Sequence, residues 1–174
     1  MILEGALLMT IAAVPLPTQD WVELGRYAGR WYEIARLPNR FQDQCAGDVV
    51  ATYALRPDGR VGVVNECRKK DGQTTHVEGV ARRADEKGPA SRLKVRFAPA
   101  VLSFLPLVWG DYWILELDRD YHHALVGDPS RKYLWVLSRT PTMDAATYES
   151  LTAAAARLGF DVTRLVRTPQ SPTE

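Results

Sequence analysis

The sequence predicts an all-β protein: an eight-stranded antiparallel up-and-down β-barrel with one C-terminal α-helix packed outside it. Three observations carry this. From residue 20 onward apolar and polar residues alternate with period two in short runs rich in β-branched and aromatic side chains. Hairpin-sized turn signals separate the runs. One Ala-rich segment near the end carries helical spacing instead. Closure of the strands removes exposed edges, and an open β-sandwich is the competing arrangement.

Residues 1–20 read as an N-terminal arm or a remnant signal segment. The run ALLMTIAAV is as long as a secretory apolar core, yet Glu4 precedes it where positive charge belongs. It is too short to span a bilayer. The barrel follows over residues 21–168, with strands expected at 29–37, 48–55, 60–68, 74–84, 91–98, 111–117, 122–126 and 132–139. Turns fall at 56–59, 70–72, 87–89 and 127–129. The helix runs from a possible N-cap at Thr142 to a stop at Gly159, with Tyr148, Leu151, Ala155 and Leu158 three or four residues apart. A short strand at 161–166 comes next, and residues 169–174, TPQSPTE at their edge, are expected to be disordered.

A chain of 174 residues buries roughly 70% of its unfolded surface and needs no metal to hold a core. Charge is balanced, with Lys+Arg 22 against Asp+Glu 21, which argues against nucleic acid as a partner. Five Trp, seven Tyr and four Phe supply the amphipathic surface that lines pockets. An eight-stranded barrel leaves room for about one small ligand. His76, His122 and His123 are too few and wrongly spaced for a metal cluster, so no metal and no cofactor is expected. Neither a Ser/His/Asp motif nor a Gly-rich phosphate loop is present, which leaves catalysis without a carrier.

Three blocks, YAGRWYEIARLP (27–38), LDRDYHHALV (117–126) and DPSRKYLWVLSRTP (128–141), resemble the lipocalin family, and within it the bacterial lipocalin and apolipoprotein D group. Their order and separation fit over residues 21–168. Gly29 and Trp31 stand at the first-strand signature and Arg139 at the family's arginine. The resemblance places Trp31 and Arg139 together at the closed end, where a guanidinium on an indole makes a cation–π contact. That role is structural.

With the strand phase taken from the resemblance, alternation gives an inward set. The first strand contributes Glu33 and Ala35; the second Val49, Ala51, Tyr53 and Leu55; the third Val61, Val63, Asn65 and Cys67. The fifth gives Leu93, Val95 and Phe97, the sixth Trp113, Leu115 and Leu117, and the eighth Tyr133 and Trp135. From these the candidate ligand-binding residues are Glu33, Ala35, Tyr53, Val63, Asn65, Val95, Phe97, Trp113, Leu115, Tyr133 and Trp135. An aliphatic and aromatic lining with few polar groups suits an elongated apolar ligand. A barrel filled by its own side chains is the alternative.

The uncharged segment at 98–110 carries Leu102, Phe104, Leu105, Leu107 and Trp109, and in an up-and-down barrel it lies at the same end as residues 37–47, which the resemblance makes the open mouth. Exposed apolar loops mark interaction surfaces. Contact with a membrane surface, contact with a partner or second copy, and folding inward as a lid all remain open. Cys45 and Cys67 share a face, with Gly47 opposite Cys67 if Tyr53 opposes Val61. They form either a disulfide or two free thiols; a disulfide would imply an oxidising compartment.

The resemblance implies a noncatalytic carrier of fatty acids, lysophospholipids or similar lipids, monomeric or homodimeric. Its expected place is the bacterial cell envelope, in the periplasm or on the periplasmic face of the outer membrane. Lipid-anchored members carry an N-terminal Cys, and its absence here argues against an anchor. An isomerase-like enzyme and an envelope interaction module with a filled barrel are the alternatives.

Overall fold

The computed structural model describes residues 14–97, 99 and 105–172. A four-residue helix, α1 (Leu24–Tyr27), leads into β1 (Gly29–Arg36). Then come β2 (Cys45–Leu55), β3 (Val61–Lys69), β4 (Thr74–Arg83), β5 (Arg92–Arg96), β6 (Gly110–Leu117), β7 (His123–Gly127) and β8 (Leu134–Ser138). Helix α2 (Ala145–Arg157) and a two-residue strand, β9 (Val166–Arg167), complete the chain.

Each strand from β2 to β8 pairs antiparallel with the next. β1 closes the barrel by dividing itself. Gly29–Tyr32 lie against Tyr53–Val50 of β2, whereas Tyr32–Arg36 lie against Ser138–Trp135 of β8. Where β1 leaves β2, the C-terminal segment occupies the seam. Ala35 and Arg36 pair with Arg167 and Val166, and the Thr168 amide donates to the Ile34 carbonyl. The Asp48 amide donates to the Pro169 carbonyl, and the Gln170 side chain donates to the carbonyls of both Glu33 and Val49. Residues 169–171, expected to be disordered, are therefore fixed by hydrogen bonds; the strand expected at 161–166 shrinks to β9 after a 3₁₀ turn at Val162–Arg164.

Helix α2 is capped by Asp144, whose carboxylate accepts from the Thr147 amide, and not by Thr142. It ends as a Schellman motif: the Phe160 amide donates to Ala155 and the Gly159 amide to Ala156, with Gly159 at φ +87°. This hairpin end drives Phe160 onto the barrel, where only Gly127 leaves room; a Cβ there would meet the ring at 2.7 Å. Two apolar cores result. One fills the lower barrel around Trp31, Ile114, Val126 and Leu137; the other lies outside, between the β1, β6, β7 and β8 faces and α2, with Leu16, Ile34, Leu125, Val136 and Ala155. The segment at 14–20 follows the outer wall, with the Gln19 amide donating to the Ile114 carbonyl.

Candidate functional site

The barrel encloses a cavity of about 700 Å³, within the roughly 300–1,000 Å³ span of small-molecule sites. Its closed end is built on Trp31, which is fully buried. The Trp31 Nε1–H donates to the Tyr27 carbonyl at 2.8 Å, and the Arg139 guanidinium lies 4.0 Å from the indole centroid. Arg139 donates further to the carbonyls of Tyr121, Arg30, Arg26 and Tyr27 at 2.9–3.2 Å. The short helix α1 thus delivers its unpaired carbonyls to a cation, which suits the negative end of a helix. Gly29, at φ +99°, passes Arg139 so closely that a Cβ would stand 3.1 Å from Nη1.

Above this plug the wall is apolar, with Val61, Val63, Ala51, Val95 and Leu93 among its residues. At the deep end three tyrosine hydroxyls meet: Tyr27 and Tyr53 each lie 2.8 Å from Tyr112. Burial pushes the Tyr27 and Tyr112 phenols well above their usual pKa and that of Tyr53 up to about 12. Near the mouth the polar groups belong to one network. Glu33 is buried, with Oε1 accepting from Arg36 (2.9 Å) and Thr168 (2.5 Å), and Oε2 from Gln42 (2.6 Å). Gln42 Oε1 accepts in turn from Trp135 Nε1 at 3.0 Å and Asn39 at 2.8 Å. The rings of Phe41, Tyr133 and Trp135 continue the wall outward, 5.8 and 6.1 Å apart.

Of the expected ligand residues, Glu33, Tyr53, Val63, Asn65, Val95, Phe97, Tyr133 and Trp135 line this cavity. Ala35, Trp113 and Leu115 do not: they lie in the outer core under α2. β-Bulges account for all three. In β1 Glu33 faces Leu137 but Ala35 faces Val136, so Ile34 is the extra residue and the phase inverts beyond it. In β6 Ile114 faces Val126 and Glu116 faces Leu125, so Leu117 points inward as expected while Tyr112 and Ile114 take the inner face upstream of the bulge. Trp113 lies beneath Arg92 at 4.8 Å. Leu55, also expected inside, is exposed at the hairpin.

Sequence reading missed Tyr27 and Tyr112. Tyr27 belongs to a helix too short for any periodicity, and Tyr112 is hidden by the β6 bulge. It also missed Gln42 and Thr168, which hold Glu33; the acceptor-rich Glu33 on an inner strand face was the available signal.

Cys45 and Cys67 form a disulfide with Cα atoms 5.6 Å apart. The register differs from the expected one: Tyr53 opposes Val63 and Leu55 opposes Val61. Irregular pairing around Gly47 and the positive φ of Asp48 (51°) bring Cys45 back within reach of Cys67. The bond ties the 40–45 segment to the barrel wall at the mouth. Of the mouth segment at 98–110, Leu102 and Phe104 lie outside the described residues. Leu105 is exposed, Leu107 is 96% exposed, and Trp109 lies under Arg82 at 4.4 Å. Phe41, 64% exposed, adds to this apolar rim.

Away from the cavity, Asp118, Asp120 and His122 bring ligand-type atoms within 4.8 Å of one another in the closed-end turn. Asp118 already accepts from the amides of Asp120 and His123.

A closed antiparallel barrel with a partly exposed Arg139 stacked on a buried Trp31, an outer helix and an apolar interior defines a container for small hydrophobic molecules. The family model for a lipocalin-like domain matches residues 22–170, and the chain belongs to that family. It is 50% identical over 149 residues to temperature-induced lipocalin-1 of Arabidopsis thaliana, covering 85% of this chain and 79% of that one. It is 40% identical over 141 residues to the outer membrane lipoprotein Blc of Escherichia coli, covering 81% and 75%. Among solved structures, insecticyanin of the tobacco hornworm Manduca sexta superposes with a TM-score of 0.68 at 20% identity, covering 91% of this chain and 85% of that one.

Proposed function

We propose that the protein binds one elongated apolar lipid, of the fatty acid or lysophospholipid class, inside the barrel and stores or carries it near an envelope membrane. The single observation that carries this reading is the apolar cavity of about 700 Å³, plugged below by Arg139 on Trp31 and open at the rim. Each methylene withdrawn from water stabilises the complex by about 0.8 kcal/mol before ordering costs. The kinship with an outer membrane lipoprotein supports an envelope location. The exposed Phe41, Leu105 and Leu107 support transfer at a membrane surface, since a rim that enters the interface spares the lipid a passage through water.

The protein acts by binding and not by catalysis in this reading. Its cavity carboxylate Glu33 is already held by Arg36, Thr168 and Gln42, and its cysteines are paired. Adding palmitoyl lysophospholipid to delipidated protein is expected to quench tryptophan fluorescence saturably, because Trp135 lines the cavity. No quenching, together with protein that leaves cells free of lipid by native mass spectrometry, would overturn the proposal.

A further inference from the structure

The floor of the cavity contains a hydrogen-bond donor that nothing among the described residues receives. Tyr27, Tyr53 and Tyr112 bring three hydroxyls together, and each hydroxyl owns one proton. Two contacts of 2.8 Å join them, with Tyr112 in the middle. Those two bonds use two protons. Whichever way the chain of bonds runs, the third proton points out of the group: from Tyr27 or Tyr53 if the bonds run in sequence, or from Tyr112 if it accepts both. The three residues all line the cavity, and Tyr27 and Tyr53 are buried. An unmet donor at a buried site is costly, so this end of the cavity is built to receive an acceptor.

The surroundings narrow the kind of acceptor. Val61, Ala81, Leu93 and Leu137 share the deep wall and offer no cation to neutralise an anion there. The Arg139 guanidinium is stacked on Trp31, whose ring is 4.9 Å from that of Tyr27, and its donors are taken by backbone carbonyls, that of Tyr27 among them. Burial pushes all three phenols above their usual pKa, so the floor presents neutral hydroxyls. A carboxylate would lose its hydration without a counter-ion. A neutral carbonyl oxygen needs only the one donor on offer.

We propose that the Tyr27–Tyr112–Tyr53 floor recognises an uncharged carbonyl oxygen at the leading end of an apolar ligand, which favours ketone-, aldehyde- or ester-bearing chains over plain hydrocarbon ends. The inference rests on the reading of the barrel as a ligand container and adds a specificity to it.

The test compares a long-chain methyl ketone with its isostere in which a methylene group replaces the carbonyl oxygen. Binding of both is measured for the wild-type protein and for the triple variant Tyr27→Phe, Tyr53→Phe, Tyr112→Phe. The ratio of ketone to isostere affinity is expected to fall by about two- to tenfold in the variant, the size of one net buried hydrogen bond. Retained binding of the isostere shows that the variant barrel is intact. A second measurement needs only wild-type protein: the infrared carbonyl stretch of an isotope-labelled ketone, expected at lower frequency when bound than in hydrocarbon solvent. An unchanged affinity ratio, or a bound carbonyl with the hydrocarbon-solvent frequency, overturns the floor as a recognition site while leaving the container reading standing. Failure of wild-type protein to bind either compound overturns the container reading and the floor with it.

Discussion

The Arg139 guanidinium rests 4.0 Å from the centroid of the Trp31 indole while its nitrogens reach four backbone carbonyls. One side chain on β8's outgoing end thereby locks α1, β1 and the turn before β7 together beneath the cavity. Lysine has the charge but not the planar fork, so Arg139→Lys is expected to lower unfolding stability by about 1–3 kcal/mol. Trp31→Ala, which empties the centre of the lower core, is expected to cost about 3–5 kcal/mol. Urea denaturation checks both; a neutral Arg139→Lys would show that the carbonyl bonds contribute nothing.

Reduction of the Cys45–Cys67 bond releases a loop with a sequence separation of 22. Its loss through a double Cys→Ser substitution is expected to cost about 3 kcal/mol. Because the pair lies at the mouth, lipid release should quicken more than the barrel loosens. Alkylation under denaturing conditions is expected to find no free thiol before reduction and two after it.

The tyrosine floor makes stability fall at alkaline pH. The phenols of Tyr27, Tyr53 and Tyr112 are raised in the fold, mainly by burial, and Tyr53 ionises at about 12. In the unfolded chain tyrosine ionises at about 10. The stabilisation is therefore whole below pH 10 and is lost as pH rises through the folded values. Absorbance of ionised tyrosine should show these three groups silent until the protein unfolds, whereas the triple Phe variant should lack that late phase.

Asp48 anchors the C-terminal segment. Partial burial raises its pKa, but hydrogen bonds from the Ser171 amide and hydroxyl and from Arg68 outweigh this and hold it below the usual carboxylate range. Its contribution is present above the unfolded pKa and lost as pH falls through the lower folded value. Asp48→Ala should leave the tail open to carboxypeptidase at neutral pH, as acid should in the parent protein. A tail equally protected in the variant would assign the anchoring to the remaining bonds of Thr168, Pro169 and Gln170.

The sequence carried the strands well where one face meets water and the other the cavity. β2, β3 and β5 alternate clearly, and Val63, Asn65 and Val95 are where alternation puts them. β6 does not alternate, because both its faces are covered: Tyr112 and Ile114 meet the barrel interior while Trp113 and Leu115 meet the outer core. With apolar residues on both sides the phase has no contrast, and a bulge of one residue passes unseen. Ala35 failed for the same reason beyond Ile34. Trp31 and Arg139 were legible through the resemblance of the three blocks around them to the lipocalin family, since no local pattern brings residues so far apart in sequence together. The ordered tail was not, since Pro169, Gln170 and Ser171 are held by polar bonds to Asp48, Glu33 and Val49 that no local pattern announces.

The most direct test of the container is to fill it. Ala51 lines the cavity wall opposite Asn65, and Ala51→Trp puts an indole where the acyl chain would lie. Native mass spectrometry of delipidated protein titrated with palmitoyl lysophospholipid should show one lipid per wild-type barrel and none on the Ala51→Trp protein, whose thermal midpoint should stay near the parent's. Equal lipid occupancy in a folded Ala51→Trp protein would contradict the account and move the lipid out of the barrel.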